Sequence, residues 1–110
     1  SEDVGNANPQ ALTMTTSALT SVSKIGFPEA RIILAQVVVY LCASPKSNSS
    51  YLAINSALDF IQKGGRLEIP KNITQQNKGY LNPHDYGGFI TQKYLKNDLE
   101  FISLKSIGYE

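Results

Sequence analysis

The one histidine of this 110-residue chain, His84, stands beside Asp85 in the run Pro83-His84-Asp85-Tyr86-Gly87-Gly88. A histidine and a carboxylate next to a glycine pair are the residue types of an acid–base couple. Side chains of adjacent residues diverge, so neither orients the other. The favoured reading is a structural loop in which His84 or Asp85 bonds nearby backbone and Tyr86 packs. A metal site would need further ligands near Asp85. The single cysteine, Cys42, falls in the most apolar stretch of the chain, where a thiol is expected to be buried packing rather than a nucleophile. One cysteine also excludes an internal disulfide and a cysteine-rich zinc site. A phosphate-binding loop needs G-x-x-x-x-G-K-[ST], because backbone N–H groups and a lysine must wrap the phosphates. Here Lys46-Ser47 follows Pro45 and Lys105-Ser106 follows Leu104. G-x-G-x-x-G and G-x-S-x-G are also absent. These residues alone are therefore expected neither to bind nor to hydrolyse a nucleotide, and no cofactor is expected for them.

Between Lys63 and Lys78 lie four basic residues, Lys63, Arg66, Lys71 and Lys78, against the single acid Glu68. This is the pattern of a phosphate-contacting edge or of an ordinary solvated loop, and the loop is favoured. Tyr80, Tyr86, Phe89 and Tyr94 cluster in the same third, where aromatics near glycines suit base stacking or a protein interface. Ten Lys and Arg against nine Asp and Glu leave a net charge of +1. That balance ranks a protein interface above a nucleic-acid module. The composition, 42% apolar and 17% charged, is globular. The run from Ile32 to Ala43, interrupted by Gln36, is shorter than the ~20 residues a membrane span needs. No charged region followed by an apolar one opens the sequence, so secretion is not expected. The acceptor-like triplets Asn48-Ser49-Ser50 and Asn72-Ile73-Thr74 are read as coincidence.

Three helices must position these residues. Asn8 as N-cap and Pro9 at the first helical position open the first. Ala11, Leu12, Thr15, Ala18, Leu19, Val22 and Ile25 form its stripe, Lys24 suits its last turn and Gly26 ends it. Its other face is a run of hydroxyls, Thr13, Thr16, Ser17, Thr20, Ser21 and Ser23, with poor helix propensity. Pro28 and Glu29 start the second, whose apolar residues from Ile32 to Cys42 cover every face. Such a helix is surrounded by its own domain or by a partner chain. Pro45 stops it. Ser47 caps the third, with Tyr51, Ile54, Leu58 and Ile61 as its stripe and Lys63-Gly64-Gly65 as its end. Residues 66–69 read as a short extended piece and 71–88 as loop or isolated turns. Residues 89–95 read as one or two helical turns, and Leu99, Phe101, Ile102 and Leu104 as an apolar patch returning to the helices. The fold class expected is all-α: a compact bundle of three main helices in one domain, residues 1–110, with a loop-rich C-terminal third carrying short helical turns and little or no strand.

The stretch from Gly26 to Tyr51, GFPEARIILAQVVVYLCASPKSNSSY, resembles the C-terminal region of the RarA/MgsA family of AAA+ ATPases. These are the replication-associated recombination proteins, with the Werner-helicase-interacting protein as eukaryotic relative. The matching residues are Gly26, Pro28, Glu29, Arg31, Leu34, Ala35 and Gln36, then Pro45-Lys46-Ser47-Asn48 and Tyr51. The block from Tyr80 to Gly88, extended by Gln92 and Tyr94-Leu95, resembles the same family's late motif. Ser1-Glu2-Asp3-Val4-Gly5 and Gly108-Tyr109-Glu110 resemble the two edges of the conserved region. One departure is the short stretch Lys71–Lys78 between Leu67–Pro70 and Gly79-Tyr80, which is longer in family members.

The resemblance implies a fragment of a longer protein with an N-terminal ATPase module that uses ATP and Mg. It implies a homotetramer whose C-terminal domain is related to clamp-loader collars. It further implies DNA-dependent ATPase activity at stalled replication forks, single-strand-binding protein as a partner, no membrane, and a bacterial cytoplasmic, nucleoid-associated location. On this reading the domain acts by self-association. The interface residues expected are Phe27, Ile33, Val37, Tyr40, Tyr80, His84, Tyr86, Phe89 and Tyr94. The alternative is a recognition module for single-stranded DNA or a replication protein through residues 63–94, with Lys63, Arg66, Lys71 and Lys78 as nucleic-acid contacts.

Overall fold

A computed structural model of the chain describes residues 1–74 and 79–110. Its long elements are α1 (Gln10–Ile25), α2 (Ala30–Ala43) and α3 (Ser49–Gln62), and among the described residues there is no strand. Single 3-10 turns form at Gly5–Ala7, Lys71–Ile73 and Pro83–Tyr86. The expected helical turns over 89–95 are absent. The late turn forms instead at Pro83–Tyr86, where Pro83 presets the first dihedral and Gly87 closes the turn in the left-handed region. The chain divides into two compact units, Ser1–Leu58 with Phe101–Glu110, and Asp59–Glu100.

In the first unit α1 packs along α2. Ala11 and Ala18 of α1 and Ala30 of α2 are buried. α1 begins at Gln10 with Pro9 as the capping position, one residue later than expected, and Asn8 before it is non-helical with its carbonyl accepting from the Ala11 N–H at 3.0 Å. Its side chain does not cap. It reaches across to α2, donating to the Tyr40 hydroxyl at 2.9 Å and to Ser44 Oγ at 3.0 Å. α1 ends at Gly26, whose φ of +72° reverses the chain at no steric cost. Its carbonyl accepts from the Ala30 N–H at 2.9 Å and so leads directly into α2. The Val37–Leu41 run, strand-like by propensity, is helical in this context.

The α2–α3 junction carries most of the side-chain hydrogen bonding in this unit. Pro45 stops α2, and Lys46 folds back so that its ammonium donates to the terminal carbonyls of Leu41 (2.8 Å) and Ser44. A cation there satisfies orphan acceptors and suits the negative end of the helix dipole. Asn48 accepts the first α3 backbone bond from Leu52 at 3.0 Å. Ser47, expected as the cap, sits one residue earlier and accepts from the Ser49 N–H at 3.3 Å. The C-terminal tripeptide closes over this corner: the Tyr109 N–H donates to the Ala7 carbonyl at 2.9 Å. Gly108 has φ +59°, and a Cβ there would lie 2.1 Å from the Ala7 carbonyl oxygen and 2.8 Å from Pro45. No other residue fits this position.

In the second unit, irregular backbone is held by side chains. The Gln92 amide pairs with both polar groups of Leu81, accepting from its N–H at 3.1 Å and donating to its carbonyl at 2.6 Å. Asn72 donates to the Lys93 carbonyl at 3.2 Å, and Lys96 pairs with Glu68. Leu99 is half-buried. In the first unit Phe101 is half-buried, whereas Ile102 and Leu104 are exposed, so the late apolar patch is only partly covered.

Candidate oligomer interface

Among the described residues the buried apolar ones are Val4, Ala7, Ala11, Ala18 and Ala30, none larger than valine. A self-contained domain of this size buries leucines, isoleucines and aromatics.

The uncovered surface has a direction. On α2, Ile33, Val37 and Tyr40 are half-buried at helical spacing on the side that carries buried Ala30. The opposite side presents Ile32 (62% exposed), Val38 and Val39 (68%), with Ala35 and Cys42 beside them. The own domain thus covers one face of the all-round apolar helix. Of the expected interface residues, Phe27 is freely available before α2, while Ile33, Val37 and Tyr40 are partly occupied within the chain. Composition marked every face of α2 equally, so sequence alone missed that Ile32, Val38 and Val39 are the free ones. Cys42 is exposed, correcting the buried reading. It borders an open cavity of about 390 Å³ shared with Val4, Leu12 and Lys46.

α3 and α1 show the same inversion. Tyr51, Ile54, Leu58 and Ile61, expected as the packed stripe of α3, are all exposed, and Ala53, Ala57 and Phe60 are half-buried instead. On α1, Leu12, Leu19 and Ile25 are outside while Thr15 and Val22 are half-buried. The outward hydroxyls of α1 are satisfied locally: Thr16 donates to the Leu12 carbonyl at 2.9 Å and Ser23 to that of Leu19 at 2.7 Å.

The second unit carries the remaining expected residues. The Asn82 carboxamide accepts from the His84 N–H at 3.2 Å, the Asp85 N–H donates to the Asn82 carbonyl at 3.0 Å, and the Gly88 N–H donates to that of Pro83 at 2.8 Å. The turn is thereby closed by its own backbone and Asn82. The side chains of His84 and Asp85 take no part in it, and Tyr86 does not pack, contrary to the structural-loop expectation. His84, Asp85 and Tyr86 of this turn and Phe89 just after it (79% exposed) are exposed. Tyr80 is less exposed, and Tyr94, as exposed as Tyr86, receives a bond from Gln92 at 2.9 Å.

The basic residues are not assembled into one cluster of free charges. Lys63 pairs with Asp59 at 2.8 Å, and the intervening acid Glu68 is taken by Lys96. Arg66 and Lys71 are exposed and have no acidic partner among the described residues. Lys78 lies outside the described residues. No group of His, Cys, Asp and Glu among the described residues is placed to hold a metal ion. None of the helices described is long and apolar enough to cross a membrane.

One site was illegible in the sequence. The Glu110 carboxylate accepts from Ser49 Oγ, from Ser47 Oγ at 2.8 Å and from the Lys105 N–H at 2.9 Å. Both serines are buried at the start of α3, where the helix dipole favours an anion. The Ser49 bond above all, then the Lys105 N–H, holds the Glu110 carboxyl below the usual carboxylate range. This corner is a structural clasp: it joins both motif edges to the Pro45-Lys46-Ser47-Asn48 segment.

The described residues are all-α, with small buried residues on α1 and α2 and exposed apolar side chains on all three helices. The profile of the family described as MgsA AAA+ ATPase C terminal matches residues 1–110, and the chain belongs to that family. The Replication-associated recombination protein A of Bacillus subtilis is 42% identical over 110 residues, covering 90% of this chain and 26% of that protein. An uncharacterized protein of Thermotoga maritima is 38% identical over 120 residues, covering 100% of the chain and 20% of that protein. The Escherichia coli Replication-associated recombination protein A is 32% identical over 87 residues, covering 79% of the chain and 20% of that protein. The chain therefore spans about a quarter or less of the curated relatives it matches.

Proposed function

We propose that this domain gathers copies of its parent ATPase into a homotetramer, and that these residues carry no ATPase activity of their own. The observation that carries the proposal is the outward face of α2, where Ile32, Val38 and Val39 stay exposed while the opposite face packs on α1. Covering a side chain of this kind stabilises by about 1.5–3 kcal/mol relative to leaving it in water. A closed assembly supplies that cover from identical copies. In the parent protein the ATPase modules use ATP and Mg, and such a site is often completed by a residue from a neighbouring subunit. Tethering four chains raises the local concentration of those neighbours. Relatives named Replication-associated recombination protein A support a role of the parent protein in replication-associated recombination; action on DNA at replication forks and single-strand-binding protein as a partner are part of the proposal.

Sedimentation equilibrium on the 110 residues tests this. Four chains of 12.0 kDa give about 48 kDa, and Val39→Asp lowers that mass. A wild-type mass of one chain at tens of micromolar overturns the proposal.

A second reading has one observation in its favour. Tyr86 of the late turn and Phe89 just after it are exposed, and Arg66 and Lys71 have no acidic partner among the described residues. Stacking aromatics with free cations suit single-stranded nucleic acid. Binding of a labelled oligonucleotide that weakens steeply with salt supports it; binding absent at low salt rejects it.

A further inference from the structure

The helices of the first unit are anchored in different ways. α1 and α2 pack along each other and bury Ala11, Ala18 and Ala30. Among the described residues α3 makes no comparable packing with either helix, and its one buried residue is Ser49, at its first position. Side chains 50–58 are exposed or half-buried. A helix held through one end, with few buried apolar contacts, belongs to the least stable part of a fold. What holds that end is polar and comes from the last residues of the sequence. The Ser49 hydroxyl donates to the Glu110 carboxylate, and so do Ser47 Oγ at 2.8 Å and the Lys105 N–H at 2.9 Å. The Lys105 ammonium donates to the Asn48 carboxamide, and the Asn6 carboxamide donates to Ser50 Oγ at 3.2 Å. Residues 44–48, between α2 and this end, belong to no helix.

We infer that residues 105–110 are a latch on α3. With the Glu110 carboxylate in place the start of α3 is fixed to the α1–α2 pair; without it α3 comes away about the 44–48 connection while α1 and α2 stay folded. The strap reaches both sides of this joint. On one side the Tyr109 N–H donates to the carbonyl of Ala7, in the turn before α1, at 2.9 Å, and Gly108 sits against Ala7 and Pro45. On the other the carboxylate grips Ser47 and Ser49. An ionised acceptor makes the stronger kind of hydrogen bond, and the helix dipole favours it at this end. Both serines are buried, so losing the acceptor leaves two buried donors unpaired. That penalises the closed arrangement and favours an open one in which water serves them. The ties within the α1–α2 pair do not pass through the latch. They are the buried alanines, the Asn8 bonds to Tyr40 and Ser44, and the Gly26 carbonyl that leads into α2. The inference does not rest on the self-association proposed above, because it concerns bonds within one chain.

Hydrogen–deuterium exchange of the 110 residues, read by mass spectrometry, tests the latch, with peptides from α1 and α2 as the internal reference. In Glu110→Ala the amides of residues 52–58 are expected to exchange about tenfold or more faster than in wild type, because a charged hydrogen-bond acceptor is lost. Those of α1 and α2 are expected to keep the wild-type rate. Ser49→Ala leaves the carboxylate in place and removes one donor, and is expected to give the same pattern at smaller amplitude. Acceleration shared equally by all three helices, or none in residues 52–58, overturns the latch. So does a Glu110→Ala effect that Ser49→Ala does not share.

Discussion

The two motifs that carry the family resemblance are used in opposite ways. At Pro45-Lys46-Ser47-Asn48 the residues tie the chain together although Pro45 and Lys46 are themselves exposed: the Lys46 ammonium closes α2, Ser47 and Ser49 are buried and bond the Glu110 carboxylate, and Gly108 is wedged against Pro45 and Ala7. At Pro83-His84-Asp85-Tyr86-Gly87-Gly88 the backbone and Asn82 satisfy the turn, and the side chains of His84, Asp85, Tyr86 and Phe89 are left outside. The first motif is a joint whose residues serve stability. The second is a turn closed by its own backbone and Asn82, whose side chains are exposed. Similar motif strength in a sequence therefore conceals opposite physical roles, and substitutions separate them.

The largest effect is expected at the joint. Gly108→Ala places a methyl group against the Ala7 carbonyl oxygen at a positive φ and is expected to cost on the order of 2–4 kcal/mol, read by denaturant unfolding. Phe89→Ala, just after the turn, is expected to leave unfolding within about 0.5 kcal/mol of wild type, because an exposed side chain has little to lose. Equal losses at the two positions would erase the distinction.

Next comes Asn8→Ala, which removes the bridge to Tyr40 and Ser44 and leaves two part-buried hydroxyls short of a partner; a loss of about 1–2 kcal/mol is expected. Glu110→Gln sharpens the joint through pH. The folded carboxyl titrates below its ordinary value, so its stabilisation is complete above the ordinary glutamate range and is lost as pH falls through the lowered one. Thermal melts from neutral to acid pH are expected to show that loss in wild type and a shallower slope in Glu110→Gln; identical slopes would place the acid sensitivity elsewhere. The smallest effect is at Lys63→Ala. Its pair with Asp59 is solvent-exposed and worth less than about 0.5 kcal/mol.

The helices were legible because their signals are local: Pro9, Gly26, Pro45 and Gly64-Gly65 punctuate the chain, and the apolar spacing between them is helical. The direction of each face was not. The periodicity of Tyr51, Ile54, Leu58 and Ile61 reports that a stripe is apolar, and the same pattern serves an own core and another chain. Cys42 was placed inside for the same reason, since α2 is apolar on every side and only the position of α1 decides which side is covered. The Glu110 clasp was invisible because its two serine partners lie more than sixty residues away in sequence. The expected turns at 89–95 yielded to Pro83–Tyr86, where proline and a left-handed glycine outweigh the apolar content of Phe89 to Leu95.

The central claim is that the open apolar face of α2 is covered by further copies of the chain. The molar mass of the 110 residues in solution tests it most directly, by light scattering across a concentration series. A mass near four chains that falls with Val39→Asp is the result expected. A single-chain mass unchanged by the substitution would contradict the claim.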